Sequence, residues 1–499
     1  MKNSIKGIAL VLGGMFVGTM ISVGFANPTA GKSALPLSEI RQFTDVYGAV
    51  KQFYVEPVED KRLIKEAISG MLQGLDPHSA FLDEEAFKDL QEGTSGEFGG
   101  LGLEVGSDPA GVRVISPIDD TPAAQAGIRA GDIIFKIDGK LIRDMSLNDA
   151  VKLMRGKPKT SIELSIMRKG VGQPITIKLV RDIIKVKSVK AKALPDGMGY
   201  IRISQFQERT SSDLAKHLEN LYKTGNLQSG IILDLRNDPG GLLNAAVGVS
   251  SAFLQQGVTV VSTKGQVTEA QKTYFSTPQD YSVVKDDALI AQLPAITKSV
   301  PMVVLVNGAS ASASEIVAGA LQDHKRATIM GTKTFGKGSV QTIIPLRGDA
   351  KNTAIKLTTA RYYTPNGRSI QAVGITPDVE VTDTATGNFV DFDIREADLA
   401  NHLTQPDSSN GVKDSTEQNT KSKSAEVNTI KETIVDNKKQ IEDKQKAKPK
   451  FYRYGDADDY QLQQAVLYLK KMGSKVHETS KLEVSAIKER VEPIASKVK

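Results

Sequence analysis

Two stretches of this chain repeat one grammar: a run read as a single apolar buried strand, a turn of small residues, then a helical stretch. Gly230–Leu235 leads through Asn237-Asp238-Pro239-Gly240-Gly241 into a helix from Leu242 to Leu254. Val300–Val306 leads through Asn307-Gly308 into a helix from about Ser312 to His324. Strands buried on both faces that feed helices predict a largely parallel sheet covered by helices, over residues 183–390. In such sheets ligands meet the carboxyl ends of the strands, so both turns fall where a site is expected.

Around that core the chain changes character. Residues 38–96 read as helical, with Ile40, Phe43, Val46, Tyr47 and Val50 at helical spacing and a second stripe, Leu63, Ile64, Ala67, Ile68, Met71 and Leu72, stopping at Gly74. Residues 97–182 are β-rich: Leu101–Val105, Val112–Ile115, Ile133–Ile137, Ser161–Met167 and Ile175–Leu179 are separated by Gly, Pro and Asp turns. Asp138-Gly139 is a hairpin signal, and helical segments fit at Pro122–Gly127 and Leu147–Met154. Residues 404–450 hold no aromatic residue and predict a solvated linker. A helical segment at 451–475 follows, with Leu462, Ala465, Val466 and Leu469 on one face, and then a charged tail at 476–499.

Composition removes several classes of chemistry. With no cysteine in 499 residues there is no disulfide scaffold and no thiolate nucleophile. Five scattered histidines without a ligand-like spacing argue against a metal site, and no cofactor is implied. The net charge of +6 is spread widely, and no basic stripe with interleaved aromatics points to nucleic acid. Met1–Ala26 has a basic start at Lys2 and Lys6, an uncharged apolar run from Ile8 to Phe25, and small residues at Gly24 and Ala26. That order predicts an export signal, cleaved or kept as a membrane anchor, with the bulk of the chain outside the cytoplasm.

The chemistry falls in the third block. Ser310, Ser312 and Ser314 alternate with alanine on a strand-to-helix turn, where a hydroxyl is pushed out over a helix N-terminus. Helix capping is the plainer role for them, with Glu315 in the first turn. His324 lies about three turns up the same helix, and no other histidine neighbours an obvious acid on a strand end, so a Ser-His-Asp triad is unpersuasive. A desolvated lysine can serve instead. Lys337 is the candidate, and in an extended run Lys337, Ser339 and Gln341 share one face. Gly331 to Lys337 also mimics a phosphate loop, but Gly338 stands where that loop needs Ser or Thr, and strand rather than helix follows. The Gly240-Gly241 turn and the Ala313 amide offer backbone N–H groups to an oxyanion.

Three motifs together carry a resemblance: Leu233-Asp234-Leu235-Arg236-Asn237-Asp238-Pro239-Gly240-Gly241, Ser312-Ala313-Ser314-Glu315, and Phe335-Gly336-Lys337-Gly338-Ser339-Val340-Gln341. The chain resembles the carboxyl-terminal processing (tail-specific) serine proteases from about residue 38 to 385 and through the helix near 460–471. The resemblance implies Ser312 as nucleophile rather than Ser310 or Ser314, Lys337 as general base, Gln341 as its support, and Ala313 with Gly240 or Gly241 as oxyanion donors. Residues 97–182 resemble a PDZ domain through Phe98-Gly99-Gly100-Leu101-Gly102-Leu103 and Ala126-Gly127-Ile128-Arg129-Ala130-Gly131-Asp132-Ile133-Ile134. By that likeness Gly100, Leu101, Gly102 and Leu103 hold the C-terminus of a peptide added at a sheet edge.

The architecture implied is mixed α/β and multidomain: a β-rich PDZ domain between an N-terminal helical region and a sheet-plus-helices serine protease core. The partners implied are proteins with free, apolar C-termini, with a homodimer or an adaptor protein as further options, in a bacterial periplasm or cell envelope. A catalytically silent or adaptor-gated PDZ scaffold of the envelope is the competing reading.

Overall fold

The computed structural model describes residues 35–346, 352–388, 394–405 and 454–472. The export signal, nearly all of the 404–450 linker and the 476–499 tail lie outside the described residues. The chain forms two compact units, residues 1–70 and 71–499. In the first, the helix Leu37–Phe53 follows the predicted spacing, and none of its residues is buried. Lys51 Nζ there pairs with Asp60 Oδ1 at 2.7 Å. A further helix, Asp60–Gln73, stops where Gly74 predicts.

The second unit opens with a correction. Residues 38–96 are not helical throughout: β1, Ala80–Leu82, interrupts them before the helix Glu84–Ser95, which Asp83 caps by accepting from Ala86 N at 2.9 Å. No local period announces β1, because its three residues are ordered by a strand some 270 positions later.

The β-rich block follows expectation closely. It comprises β2 (Glu97–Gly100), β3 (Leu103–Asp108), β4 (Gly111–Pro117), β5 (Ile133–Ile137), β6 (Lys140–Leu141), β7 (Ser161–Met167), β8 (Ile175–Val180) and β9 (Asp182–Lys185). Strands β3-β4-β5-β7-β8 form an antiparallel sheet with β3 at its edge, and β6 hangs on β5. Asp138 (φ 47°) and Gly139 (φ 76°) make the hairpin between β5 and β6. The helix Leu147–Met154 buries Ala150 and Met154 against Val112, Val114, Ile134, Leu164 and Ile166. The predicted strand at Leu101–Val105 starts only at Leu103, because Gly102 turns the chain at φ 78° and a side chain there would collide with Thr121. Strands β2 and β9 pair with each other, so the whole block is an insertion held on a two-stranded stem.

Beyond it come β10 (Val189–Leu194), β11 (Met198–Ile203), β12 (Gly230–Asp234), β13 (Thr259–Gly265), β14 (Lys272–Phe275), β15 (Met302–Val306), β16 (Thr328–Gly331), β17 (Ser339–Pro345), β18 (Ala354–Tyr363) and β19 (Val379–Glu380). The main sheet runs β10-β11-β12-β15-β16-β19, parallel except for β10. Alternation sends Ile231, Leu233, Val304 and Val306 into a core shared with the helices Thr210–Lys223, Leu243–Ser251 and Ala313–Asp323. It sends Ile232, Val303 and Leu305 to the opposite face, where Leu462, Ala465 and Leu469 of the helix at 460–472 cover them. A second sheet, which the strand-helix grammar did not foretell, is antiparallel: β1-β18-β13-β14, with β17 on the other side of β18. Its central strand β18 carries mixed residues such as Lys356, Thr358, Thr359 and Arg361, and no helix follows it to signal a buried strand.

The C-terminal segment is anchored through one guanidinium. Arg236, 1% exposed, directly precedes the Asn237–Gly241 turn. It donates to Asp234 (Nε to Oδ1, 2.9 Å; Nη2 to Oδ2, 2.6 Å), to Asp459 (Nη1 to Oδ1, 2.9 Å; Nη2 to Oδ2, 2.6 Å) and to Gln461 Oε1 at 2.9 Å. The Tyr454 ring stacks on it at 4.3 Å. A buried cation demands such partners, since leaving it unpaired costs several kcal/mol on the order of magnitude.

Candidate active site

β12 and β15 are parallel neighbours, so the two strand-to-helix turns that follow them lie side by side. Asp238 joins the turns. Its carbonyl accepts from Ala311 N (3.0 Å) and from Ser314 Oγ (2.9 Å), and its Oδ1 accepts from Gly240 N (2.9 Å). A Cβ on Gly240 would stand 2.8 Å from both Ala313 N and Ser312 Cβ, so only glycine allows this approach.

The three serines separate by their surroundings. Ser310 is buried and donates to Leu235 O at 2.8 Å; Ser314 is buried and spent on Asp238. Ser312 is half-buried, with its side chain against the Tyr362 hydroxyl. Its backbone stands at φ 55°, ψ −111°, which a residue with a side chain adopts only where the surroundings impose it. The Ala313–Asp323 helix starts at the next residue, one place later than the sequence suggests.

Of the expected oxyanion donors, the Gly240 amide is already given to Asp238 Oδ1. Among the described residues the amides of Gly241 and Ala313 have no acceptor. Of the two glycines, Gly241 is thus the one whose amide is not already given to an acceptor. Burial pushes the Asp238 carboxyl up to about 8, and among the described residues its Oδ2 finds no hydrogen-bond partner.

Lys337 lies on an irregular stretch rather than in a strand, since β17 begins at Ser339. Among the described residues its ammonium makes no hydrogen bond or ion pair. Burial lowers its pKa and nearby Lys356 acts in the same direction, against Glu396, Glu315 and Asp76. Gln341 does share a face with Ser339, as expected, but its amide N–H groups go to Ser339 Oγ (3.0 Å) and Thr358 Oγ1 (3.2 Å). His324 is turned away, its Nε2 against Thr259 O at 2.7 Å.

Several residues around the lysine were given no part in the site by the sequence, Glu315 having been read only as a helix-start residue. Glu315 is wholly buried and binds the backbone on both sides of the site. Asp76 accepts from Ser79 Oγ (2.7 Å) and from Thr358 Oγ1 (3.0 Å), which links it to Gln341. His78 Nε2 meets Glu396 at 2.8 and 3.0 Å, and Glu396 Oε1 also accepts from Gln371 Nε2 at 2.9 Å. Gln371 Oε1 in turn accepts from Gly338 N at 2.9 Å, beside the lysine. Burial works to raise the Glu396 carboxyl, but the His78 and Gln371 bonds hold it below its ordinary value. The histidine–acid contact that sequence reading missed joins positions 318 apart, and the one local hint was polar Asp76, His78 and Ser79 crowded around Pro77. Among the described residues no group of acidic or histidine side chains could hold a metal ion.

In the inserted block, Leu101 O accepts from Ala123 N (3.0 Å), and Gly102 O from Ile118 N (2.9 Å) and Thr121 Oγ1 (3.2 Å). With its carbonyls tied down, the loop borders a cleft of about 80 Å³ lined by Phe98, Gly100, Leu101, Gly102, Leu103 and Met154 among others. The cleft lies beside edge strand β3 and the Leu147–Met154 helix, and the Arg155 guanidinium covers the Phe98 ring at 4.8 Å.

Comparisons with known proteins agree with this layout. The sequence matches the model of peptidase family S41 over residues 197–381 and a PDZ domain over 113–168. It also matches the model described as activating protease CtpB N-terminal domain over 20–86. A carboxy-terminal-processing protease of Bartonella bacilliformis is 46% identical over 404 residues, covering 80% of this chain and 88% of that protein. The carboxy-terminal processing protease CtpA of Bacillus subtilis is 34% identical over 359 residues, 71% of this chain and 72% of its own. The solved photosystem II D1 C-terminal processing protease is 32% identical, covers 68% of this chain and 86% of its own, and superposes with a TM-score of 0.38.

Proposed function

Since the chain belongs to the carboxy-terminal processing proteases, serine peptidases of family S41 with a PDZ domain, we propose that it cuts proteins at a Ser312–Lys337 site after holding their free C-terminus at the PDZ cleft. One observation carries the catalytic part. Ser312 is the half-buried serine of the three, held in a conformation that the turn imposes, and the lysine loop is bonded to the same carboxylate as its backbone.

In this reading neutral Lys337 takes the Ser312 proton and the alkoxide attacks a peptide carbonyl. The amides of Gly241 and Ala313 receive the charge that forms on the carbonyl oxygen, at a helix N-terminus that favours it. The lysine ammonium then protonates the leaving amine and is neutral again; it next takes a proton from the attacking water and returns it to Ser312 Oγ as the acyl–oxygen bond breaks, which frees the acid product and the serine. Gln341, through Ser339 and Thr358, keeps the strand beside the lysine in register. Because the lysine must be neutral and burial favours that form, activity rises with pH through a value below that of an ordinary lysine.

The substrate tail adds to edge strand β3, its terminal carboxylate meeting the loop N–H groups at Leu101 and Gly102 and its last side chain entering the apolar cleft. The basic, apolar and small-residue order of Met1–Ala26 supports export to the cell envelope. The test is cleavage of an unstructured reporter with a free apolar C-terminus, beside its amidated copy. Wild type cuts the free-ended reporter preferentially, while Ser312→Ala and Lys337→Ala lose activity by at least a hundredfold. Full activity in either variant refutes the site, and equal cutting of the amidated copy refutes the tail-reading role.

A further inference from the structure

Glu315 is the point at which the two halves of the site meet. Each of its oxygens accepts two donors: Oε1 takes Thr334 Oγ1 at 2.6 Å and Gly336 N at 2.8 Å, and Oε2 takes Ser312 N at 2.8 Å and Lys337 N at 2.9 Å. A residue that merely starts a helix would serve the amides of its own first turn. Here one donor belongs to the helix entry and three come from a loop about twenty residues on. The Thr334 hydroxyl is committed to this bond, because its own oxygen accepts from Ile375 N at 2.6 Å.

We propose that Glu315 is a positioning residue for the reaction, one carboxylate that fixes the backbone of the Ser312 turn against the backbone of the Lys337 loop. The inference rests on the reading of Ser312 and Lys337 given above. Two amides that share one oxygen stand no further apart than the two bonds allow, so the nucleophile and the base are tied by a single side chain. Tyr362 completes the grip, for its hydroxyl donates to Lys337 O while its other side faces Ser312. The Lys337 peptide is thus held at both its N–H and its carbonyl, which leaves its side chain as the moving part.

Four donors and no acceptor around Glu315 require an oxygen at every contact, so the charged form is the one that fits. Burial, meanwhile, pushes the carboxyl up to about 7. Its charge faces Lys337, as do Glu396 and Asp76, while Lys356 opposes them from β18. Removing the Glu315 charge therefore takes away one of three anions that favour the lysine ammonium.

The experiment compares full-length wild type, Glu315→Gln, Glu315→Asp and Ser312→Ala on the free-ended reporter across the pH range in which a lysine titrates. In Glu315→Gln, kcat falls at least tenfold with KM within twofold, and the rising limb of the pH profile moves to lower pH. Wild-type kcat, or a limb that stays in place, overturns the proposal. Should Glu315→Gln fail to fold, Glu315→Asp decides: the charge is kept but the reach is shorter, so kcat falls tenfold and the limb holds its position. Full kcat in that variant overturns the proposal. Cleavage that survives in Ser312→Ala instead overturns the underlying reading of the site, and the positioning role falls with it.

Discussion

At Asp238 a backbone carbonyl joins two turns while the carboxyl beside it keeps one oxygen without a partner among the described residues. Its folded pKa, pushed up to about 8 by burial, lies above the ordinary carboxyl value of 3.8. Between those values the folded chain holds a proton that the unfolded chain has released, so stability falls as pH rises through that window. Asp238→Asn keeps the acceptor for Gly240 N and removes the titration. The decline in melting temperature from pH 5 to pH 8 becomes shallower in the variant, because its side chain takes up no proton on folding. An unchanged slope would assign the decline to other buried acids such as Glu315 or Asp287. At this scale the sequence was partly legible. Ser312 and Lys337 stand in motifs whose order is specific, and the structure sets Ser310 and Ser314 apart as anchors. Glu315 passed for a helix-start residue, because its three distant donors are backbone and hydroxyl groups that no motif records. His78 and Glu396 were unreadable for the same reason, as contact between distant positions leaves no local pattern.

Among the elements, the helix at 460–472 shows how far one ion cluster and one apolar stripe reach together. Leu462, Ala465 and Leu469 cover the back of the main sheet, each buried leucine contributing roughly 1.5–3 kcal/mol, while Asp459 secures Arg236 ahead of the glycine turn. Asp459→Ala leaves a buried guanidinium short of a partner and costs roughly 3–5 kcal/mol. Removing the Lys470–Asp196 pair, 2.7 Å apart but with both side chains about half exposed, costs under about 1 kcal/mol. Urea midpoints of Asp459→Ala and Lys470→Ala measure the contrast, and equal losses would deny the anchor its importance. Elements with a period of their own were legible to the residue, as with Leu147–Met154 and Ser161–Met167. β1 and most of the second sheet were not: three residues are too few to show a period, and β18 mixes apolar with charged and hydroxyl residues on a strand that no helix follows, whereas β17 was read as strand.

Across the whole molecule, the inserted β-rich block leaves and re-enters the core at Gly100 and Asp182, which face each other in the β2–β9 ladder. A two-residue turn spans that gap. Replacing residues 101–181 by such a turn leaves the core and its buried cluster uninterrupted, since the two apolar cores share no residue. The shortened chain still cuts the unstructured reporter but no longer distinguishes free from amidated ends, which a paired kinetic assay measures. Retained discrimination would place tail reading elsewhere. The threading of the chain also sets the order in which the parts of the site can come together. Asp76 to Leu82 emerge early, yet their partners lie on β18, Asp76 and Thr358 being 282 positions apart. A nascent chain that already displays Ser312 and Lys337 still lacks Tyr362 and the strand on which β1 and β17 assemble. Until residues 354–363 are made, the Lys337 carbonyl has no Tyr362 hydroxyl to accept from and β17 has no partner strand, so the site closes only after both of its motifs have been laid down.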